Sequence, residues 1–144
     1  MDEYTLTEIH GRRVLVMHGD QLCTDDVDYQ RFRAMVRDPQ WQSTTLAMPY
    51  QFRLQAARKL REETKAATQL KADEIMDVNQ QTVEETMRRH GVDVLLHGHT
   101  HRPAVHHFDL DGREATRIVL GDWFEQGSVL RWNEDGFELQ GLPR

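Results

Sequence analysis

Two short apolar segments of the chain each end in a His-Gly pair, and this feature constrains the fold more than any other. The first segment is RVLVM (residues 13–17), which leads into HGD, and the second is VDVLL (residues 92–96), which leads into HGHTH. Short apolar runs of this kind are typical of buried strands. Ligand sites in α/β proteins gather where the strands of a sheet end. The pattern therefore predicts that both His-Gly pairs lie at one edge of a sheet.

The segments around these two strands predict a mixed α/β domain. A hairpin turn at His10-Gly11 joins a first strand, Tyr4 to Ile9, to the first His-Gly strand. Helical spacing predicts a helix at residues 25–37, a helical insert over about 41–72 that is interrupted by Pro49, and a helix at 75–90 that ends at Gly91. Alternating patterns and turn residues predict four later strands, at residues 105–110, 115–120, 128–132 and 137–140.

The composition is that of a soluble globular protein without general affinity for nucleic acid. The chain has 144 residues, enough for one domain, with 38% hydrophobic residues and a net charge of −6. No apolar run reaches membrane-spanning length, and the start MDEYTLTEI is typical of a strand rather than a signal peptide. A single cysteine, Cys23, is interpreted as a small buried residue. These features favour a cytoplasmic location.

Three histidines, His18, His99 and His101, are the candidate metal ligands. Imidazole nitrogens suit first-row divalent metals, and Gly98 is expected to let the chain turn sharply between strand and ligands. Two adjacent metals would also need a bridging carboxylate. Composition alone offers four candidates for that role: Asp20, Asp25, Asp26 and Asp28.

The alternative is that these are ordinary loop histidines, which is the commoner outcome for an isolated His-Gly pair at a strand end. The neighbouring His106 and His107 alternate along the next predicted strand and are interpreted as structural or exposed. His10 and His90 fall at a turn and at a helix end, where histidine is common. His97 precedes the glycine and is expected to form local hydrogen bonds.

Three motifs together identify a family. MHGDQLCTDD (residues 17–26), IMDVNQ (residues 75–80) and LLHGHTHRPAVH (residues 95–106) closely resemble the UDP-2,3-diacylglucosamine diphosphatases of lipid A biosynthesis, which belong to the calcineurin-like metallophosphoesterases. The GHTH motif indicates only the superfamily, whereas the other two are more specific. The resemblance implies a partial calcineurin-like α/β/β/α sandwich with a helical cap insert, all within a single domain.

The resemblance also implies an activity and a set of site residues. The family hydrolyses the pyrophosphate of UDP-2,3-diacylglucosamine to lipid X and UMP at a two-manganese centre. Matched to this chain, His18 and His99 would bind one Mn²⁺ and His101 its neighbour. The positions that match substrate contacts are Asp26, Thr64, Thr68, Lys71 and His99. Thr64 and Thr68 replace a serine and an asparagine of the family pattern, so the contact at 68 loses an amide.

The insert also suits an anionic lipid surface. Residues 53–71 contain six basic side chains against two acidic ones, although the whole chain is acidic. Basic and apolar residues interleaved in this way are typical of helices that lie on membranes. Together with this pattern, the resemblance implies a peripheral location on the cytoplasmic face of the inner membrane. A solvated helix with ion pairs is the alternative interpretation.

Three further motifs of the family, Asp-x-His, a metal-bridging Gly-Asp and Gly-Asn-Arg/His-Asp, do not precede MHGD in the 144 residues. The chain is therefore expected to correspond to the carboxyl-terminal part of the family's domain and to be inactive in isolation. Two alternatives remain. The chain could be a metal- or lipid-binding remnant without catalysis, or part of a metallophosphoesterase for another nucleotide diphosphate or phosphodiester.

Overall fold

A computed structural model describes residues 3–69, 75–124 and 126–143 of the protein. The chain divides into two compact units, one formed by Met1–Leu22 together with Val78–Arg144 and the other by Cys23–Asp77. Both His-Gly strands belong to the first unit, and the predicted helical insert belongs to the second.

The first unit is built on a five-stranded mixed sheet. Its strands are β1 (Tyr4–Ile9), β2 (Arg12–Met17), β3 (Val94–His97), β4 (Ala104–Leu110) and β5 (Arg113–Val119). They lie in the order β1-β2-β3-β5-β4, with β2, β3 and β5 parallel and the outer strands antiparallel to their neighbours. The register pairs Met17 with His97 and His97 with Val119. The three parallel strands therefore end at one edge, as predicted for the two His-Gly strands.

Tight turns with left-handed backbone set the hairpins of this unit. At the β1–β2 turn, His10 and Gly11 have φ angles of 46° and 75°, which is the geometry of a two-residue turn that matches the strand twist. The β4–β5 turn at Asp111-Gly112 repeats it, with φ angles of 58° and 79°. Strands β6 (Gln126–Asn133) and β7 (Gly136–Pro143) form a separate two-stranded hairpin. The predicted strands are confirmed, with ends that shift by a few residues.

The two faces of the sheet are covered differently. Helix α4 (Gln80–His90) buries Val83 and Met87 in a cluster with Leu15 and Leu95. On the opposite face, a second cluster is centred on the core residues Val14, Val94 and Ile118, and the side chains packed against it include Leu130, Trp132 and Phe137 of the β6–β7 hairpin. Helix, sheet and hairpin form successive layers, which agrees with the expected α/β class.

The predicted start of α4 is wrong. The helix was expected to begin at Ile75, but it begins at Gln80, and the Asn79 side chain caps it by accepting a hydrogen bond from the Thr82 amide at 3.0 Å. The backbone amide of Asn79 donates a hydrogen bond to the Leu22 carbonyl at 2.9 Å. This bond ties the N-terminus of α4 to the end of the turn that follows β2. The predicted end is confirmed, because Gly91 adopts the left-handed conformation of a C-cap.

The second unit is helical where it is described. Helix α1 (Val27–Arg37) is followed by α2 (Pro39–Ala47) and α3 (Tyr50–Gln69). The insert expected from residue 41 begins earlier, because the Asp38 side chain caps α2 at the Trp41 amide, 2.8 Å away. The break at Pro49 is confirmed, and residues 70–74 lie outside the described part of the chain. Within the described ranges, no helix is long and apolar enough to cross a membrane.

Candidate metal centre

The two histidines that follow the parallel strands β2 and β3 meet at the carboxyl edge of the sheet. The rings of His18 and His99 contact each other edge to face, with ring centroids 4.9 Å apart. The Gly98 amide donates to the His18 carbonyl at 3.0 Å, so the main chains of the two loops are joined as well. The sheet register explains the meeting, because it ends both strands level with each other. Two imidazoles at this separation can offer nitrogens to one divalent cation.

A buried carboxylate holds the first of these imidazoles. Nδ1 of His18 lies 3.2 Å from Oδ1 of Asp20, whose side chain is 4% exposed, while the His18 side chain is 60% exposed. A histidine whose Nδ1 is held by a carboxylate presents Nε2 to a metal in a fixed orientation. Asp20 is one of the four aspartates considered from composition, and it contacts a candidate ligand through the imidazole of His18.

His97, at the end of β3, is buried between two strands. Its side chain is 1% exposed. Nδ1 lies 2.9 Å from the Gly98 carbonyl, and Nε2 lies 3.2 Å from a guanidinium nitrogen of Arg117 on β5. The prediction that His97 forms local hydrogen bonds is confirmed.

The glycine of HGD has no room for a side chain. Gly19 has a φ of +106°, which side chains rarely allow, and a Cβ added to it would lie 2.7 Å from Nδ1 of His97. The two His-Gly loops thus pack backbone against ring, and only glycine fits at this contact.

His101 contacts the segment that follows β5. Its Nδ1 lies 3.7 Å from Oδ2 of Asp122, and its ring centroid lies 6.4 Å from that of Phe124. Both partners come from the segment that follows β5. That imidazoles 99 and 101 lean toward one cavity, as the alternating spacing of HGHTH suggests, stays a prediction.

The sharp turn of this loop lies in the histidines themselves. Gly98 was expected to supply it, but left-handed φ angles of 67° and 55° belong to His99 and His101. A side chain in this conformation costs roughly 1–2 kcal/mol. Such strain persists only where the surrounding structure imposes it, and it is common at functional sites. The expectation for Gly98 is therefore wrong, and the strain falls on the two candidate ligands.

In the ranges 3–69, 75–124 and 126–143, no three His, Cys, Asp or Glu side chains are grouped to hold a metal. The structure brings together His18 and His99 and leaves the ligand role of His101 as a prediction. Among the predicted substrate contacts, Asp26 is the N-cap of α1, where its Oδ1 accepts from the Tyr29 amide at 3.0 Å.

The remaining predicted contacts lie in or after α3. Thr64 is exposed on this helix, and Thr68 belongs to the same helix. Lys71 lies outside the described residues.

Sequence reasoning missed two residues of this edge, Arg117 and Asp122. Arg117 is a buried cation on β5, and Asp122 belongs to a Gly-Asp pair just after that strand. A signal was present, because Gly121-Asp122 repeats the Gly19-Asp20 pair that follows β2. This repeated Gly-Asp pair points to the same edge of the sheet only when β5 is known to lie beside β3.

Comparison with known protein families agrees with this geometry. The family model described as calcineurin-like phosphoesterase matches residues 1–103. The chain belongs to the calcineurin-like phosphoesterase family. Members of this metallophosphoesterase family use divalent metal ions, which is consistent with imidazoles at the carboxyl edge of the sheet.

Three similar curated proteins are named UDP-2,3-diacylglucosamine hydrolase. The protein of Chromohalobacter salexigens is 55% identical over 123 residues, which cover 85% of this chain and 50% of the relative. That of Stenotrophomonas maltophilia is 47% identical over 96% of this chain and 59% of its own length, and that of Vibrio parahaemolyticus is 44% identical over 99% and 59%. The chain thus spans between half and three-fifths of the length of these relatives.

A solved structure with a similar course of chain is that of Vacuolar Protein Sorting 29 from Cryptosporidium parvum. It is 13% identical, with a TM-score of 0.41, and the match covers 99% of this chain and 57% of that structure. A similarity at this level adds nothing to the family assignment.

Proposed function

We propose that this chain supplies part of a metal-dependent hydrolase that cleaves the pyrophosphate of UDP-2,3-diacylglucosamine. The products would be 2,3-diacylglucosamine 1-phosphate and UMP, a step of lipid A biosynthesis. The observation that carries the proposal is the contact between His18 and His99 at the shared edge of β2 and β3. It occurs in a chain whose relatives, at 44% to 55% identity, are named hydrolases of this substrate.

The proposed metal is Mn²⁺, with His18 and His99 on one ion and His101 on its neighbour. The donors fit a divalent cation, because imidazole is a common ligand and Asp20 already holds Nδ1 of His18. When bound, a pair of such ions activates water for in-line attack and stabilises the charge that develops on the phosphoryl oxygens. This chain's own contribution is to hold the imidazoles, by strand register and by the loop contacts at Gly19 and Gly98.

Five residues are proposed to contact the substrate: Asp26, Thr64, Thr68, Lys71 and His99. Their chemistry suits a phosphorylated sugar, since carboxylate and threonine hydroxyl groups pair with sugar hydroxyls and a lysine ammonium pairs with phosphate. Asp26 would have to serve two purposes, because it also caps α1.

We also propose that residues 1–144 form the carboxyl-terminal portion of one metallophosphoesterase domain, with a helical cap at about 41–72. Its location would be cytoplasmic and peripheral on the inner membrane. Exposed apolar side chains on α2 and α3 support this location, with Leu46, Tyr50 and Phe52 at 67%, 64% and 63% exposure. Tyr50 and Phe52 belong to the same helix as the basic residues Arg53, Arg58 and Lys59, and such a helix would meet acyl chains and anionic headgroups together.

A chimera tests the proposed reaction. The aligned portion of the Chromohalobacter salexigens relative would be replaced by this chain, and Mn²⁺-dependent release of UMP from UDP-2,3-diacylglucosamine would be measured. We expect the chimera to turn over this substrate and the same chimera with His99→Ala to lose activity by a factor of about 100 or more, because an imidazole ligand is lost. A folded chimera without activity on this substrate, but active on other nucleotide diphosphates or phosphodiesters, would contradict the substrate assignment.

The isolated 144-residue chain is the second arm of the test. Since the described residues hold no group of three metal ligands, we expect it to bind one divalent ion only loosely and to release no UMP. Robust Mn²⁺-dependent turnover by this polypeptide alone would contradict that expectation. Metal or lipid binding by the chain together with an inactive, folded chimera would favour the remnant without catalysis.

A further inference from the structure

His97 is a buried polar side chain that the proposed hydrolysis does not use as a ligand. It ends β3, just before the loop that carries His99 and His101, and it is 1% exposed. Both ring nitrogens have a partner, the Gly98 carbonyl at 2.9 Å and the Arg117 guanidinium at 3.2 Å.

These two partners determine the tautomer and the orientation of the His97 ring. A guanidinium group only donates hydrogen bonds and a carbonyl oxygen only accepts them. Nε2 of His97 therefore accepts from Arg117, and the Nδ1 hydrogen is donated to Gly98. A ring turned by half a rotation would exchange nitrogen for carbon at both positions and lose both bonds, so one orientation and one tautomer are selected.

The ring and main chain of His97 touch all three segments that follow the parallel strands. Gly19, after β2, packs so closely that an added Cβ would lie 2.7 Å from Nδ1 and 3.2 Å from the Cβ of His97. The Gly98 amide bonds to the His18 carbonyl at 3.0 Å, and the His97 carbonyl accepts from the Leu120 amide at 2.8 Å.

We propose that His97 is a positioning residue for the metal centre: through Gly98, Gly19 and Arg117 it fixes the two loops whose imidazoles, His18 and His99, must meet. The inference rests on the proposed function. The alternative is that His97 only fills space in the core, in which case an aromatic ring of similar size would serve as well.

Three substitutions separate these possibilities in the 144-residue chain. His97→Phe keeps an aromatic ring and removes both hydrogen bonds. His97→Asn keeps an N–H donor near the Nδ1 position, toward Gly98, and His97→Gln keeps a polar group near the Nε2 position, toward Arg117. His106→Asn is the matched control, because it removes an exposed histidine from β4 of the same unit.

Two measurements are made on each variant. Mn²⁺ binding is followed by loss of the electron paramagnetic resonance signal of the free aquo ion, and amide hydrogen exchange is followed by NMR at Gly98 and Leu120, with Val83 and Met87 of α4 as the reference for global unfolding. We expect His97→Phe to weaken Mn²⁺ binding by about tenfold or more and to accelerate exchange at Gly98 relative to α4. His97→Asn should recover part of both losses, and His106→Asn should behave as the unsubstituted chain.

Any other result would contradict the positioning role of His97 or the proposed metal site. Unchanged Mn²⁺ affinity in His97→Phe, or unchanged protection of the Gly98 amide, would overturn the positioning role. If His97→Phe does not fold, the Asn and Gln variants decide, and equal Mn²⁺ affinity in both and in the unsubstituted chain would overturn it. Failure of the unsubstituted chain to bind Mn²⁺ would instead overturn the proposed metal site, and this inference with it.

Discussion

Oδ1 of Asp20 lies 3.2 Å from Nδ1 of His18, and the side chain of Asp20 is almost fully buried there, with 4% exposure. Asp20 opens a single 3-10 turn (Asp20–Leu22) directly after the HGD glycine, and the Leu22 amide closes that turn on the Gly19 carbonyl at 3.0 Å. The carboxylate is therefore held by local backbone as well as by burial. From the sequence, Asp20 was one of four candidates for a bridging ligand. Its contact with His18 indicates a different role, that of orienting the imidazole.

We expect Asp20→Asn to weaken Mn²⁺ binding by the 144-residue chain by about tenfold to a hundredfold. The asparagine amide lacks the negative charge that lies beside Nδ1 of His18 and favours the tautomer with its hydrogen on that nitrogen. Calorimetric titration with Mn²⁺ measures the effect. Glu134→Gln, an exposed position in the β6–β7 turn, is the control for the loss of one negative charge. Equal affinities for the two variants would show that Asp20 does not act on His18.

The parts of the fold that the sequence predicted are those decided by local chemistry. The turns at His10-Gly11 and Asp111-Gly112 need positive φ angles, and both residues of each pair adopt them, with glycine in the second position. The start of α4 was missed because Ile75, Met76 and Val78 have apolar spacing compatible with a helix. The helix begins only after Asn79, because the Asn79 side chain caps it and the Asn79 backbone amide bonds to Leu22, a residue distant in sequence.

Some residues of the candidate site could likewise be predicted from local sequence, and others could not. His18 and His99 could be predicted to meet because each follows a strand at a His-Gly pair, and parallel neighbours end together. Arg117 could not be assigned to His97 from the sequence, since their contact exists only because β5 pairs with β3. Strand order depends on packing of the whole sheet, which local patterns do not encode.

Replacement of Gly19 tests the packing between the two His-Gly loops. In Gly19→Ala a methyl group would approach Nδ1 of His97 to 2.7 Å at a φ of +106°. Gly11→Ala is the matched control, because Gly11 also has a positive φ, +75°, but nothing lies within 4 Å of an added Cβ. Both variants should pay for backbone strain, and Gly19→Ala should lose about 1–3 kcal/mol more in the free energy of unfolding. Urea denaturation of the two variants measures this difference, and equal losses would contradict the contact.

Two substitutions of Asp26 separate its role as the N-cap of α1 from its proposed contact with the substrate. Its side chain caps α1 at the Tyr29 amide, so Asp26→Ala should lower the free energy of unfolding by about 1 kcal/mol, whereas Asp26→Asn should lower it by little because asparagine caps equally well. Thermal denaturation of the chain measures both effects. In the active chimera we expect both variants to raise the KM for UDP-2,3-diacylglucosamine, since both lack the carboxylate. Normal KM in a stable Asp26→Asn chimera would limit Asp26 to capping.

The ion pair of Arg88 and Asp111 predicts a pH dependence in the first unit. Hydrogen bonds from Arg88 are the main cause that lowers the pKa of the Asp111 carboxyl below its ordinary value, and the same hydrogen bonds raise the pKa of Arg88. A carboxyl whose pKa is depressed by folding contributes stability above the pKa that it has in the unfolded chain, and this contribution is lost as the pH falls through the folded pKa. The stability gain is small, because both side chains remain about half exposed to solvent.

Carboxyl-carbon NMR titration of Asp111 therefore gives a sharper measurement than denaturation. We expect Arg88→Gln to raise the pKa of Asp111 toward its ordinary value, because the strongest donor to both carboxylate oxygens is removed. The accompanying loss of stability should be present near neutral pH and absent in strong acid, where Asp111 is protonated in both variants. Arg89→Gln, the next residue of α4, removes an equal charge and should leave the Asp111 titration where it is. A shift of the same size in Arg89→Gln would attribute the lowered pKa to the general charge of the helix end rather than to Arg88.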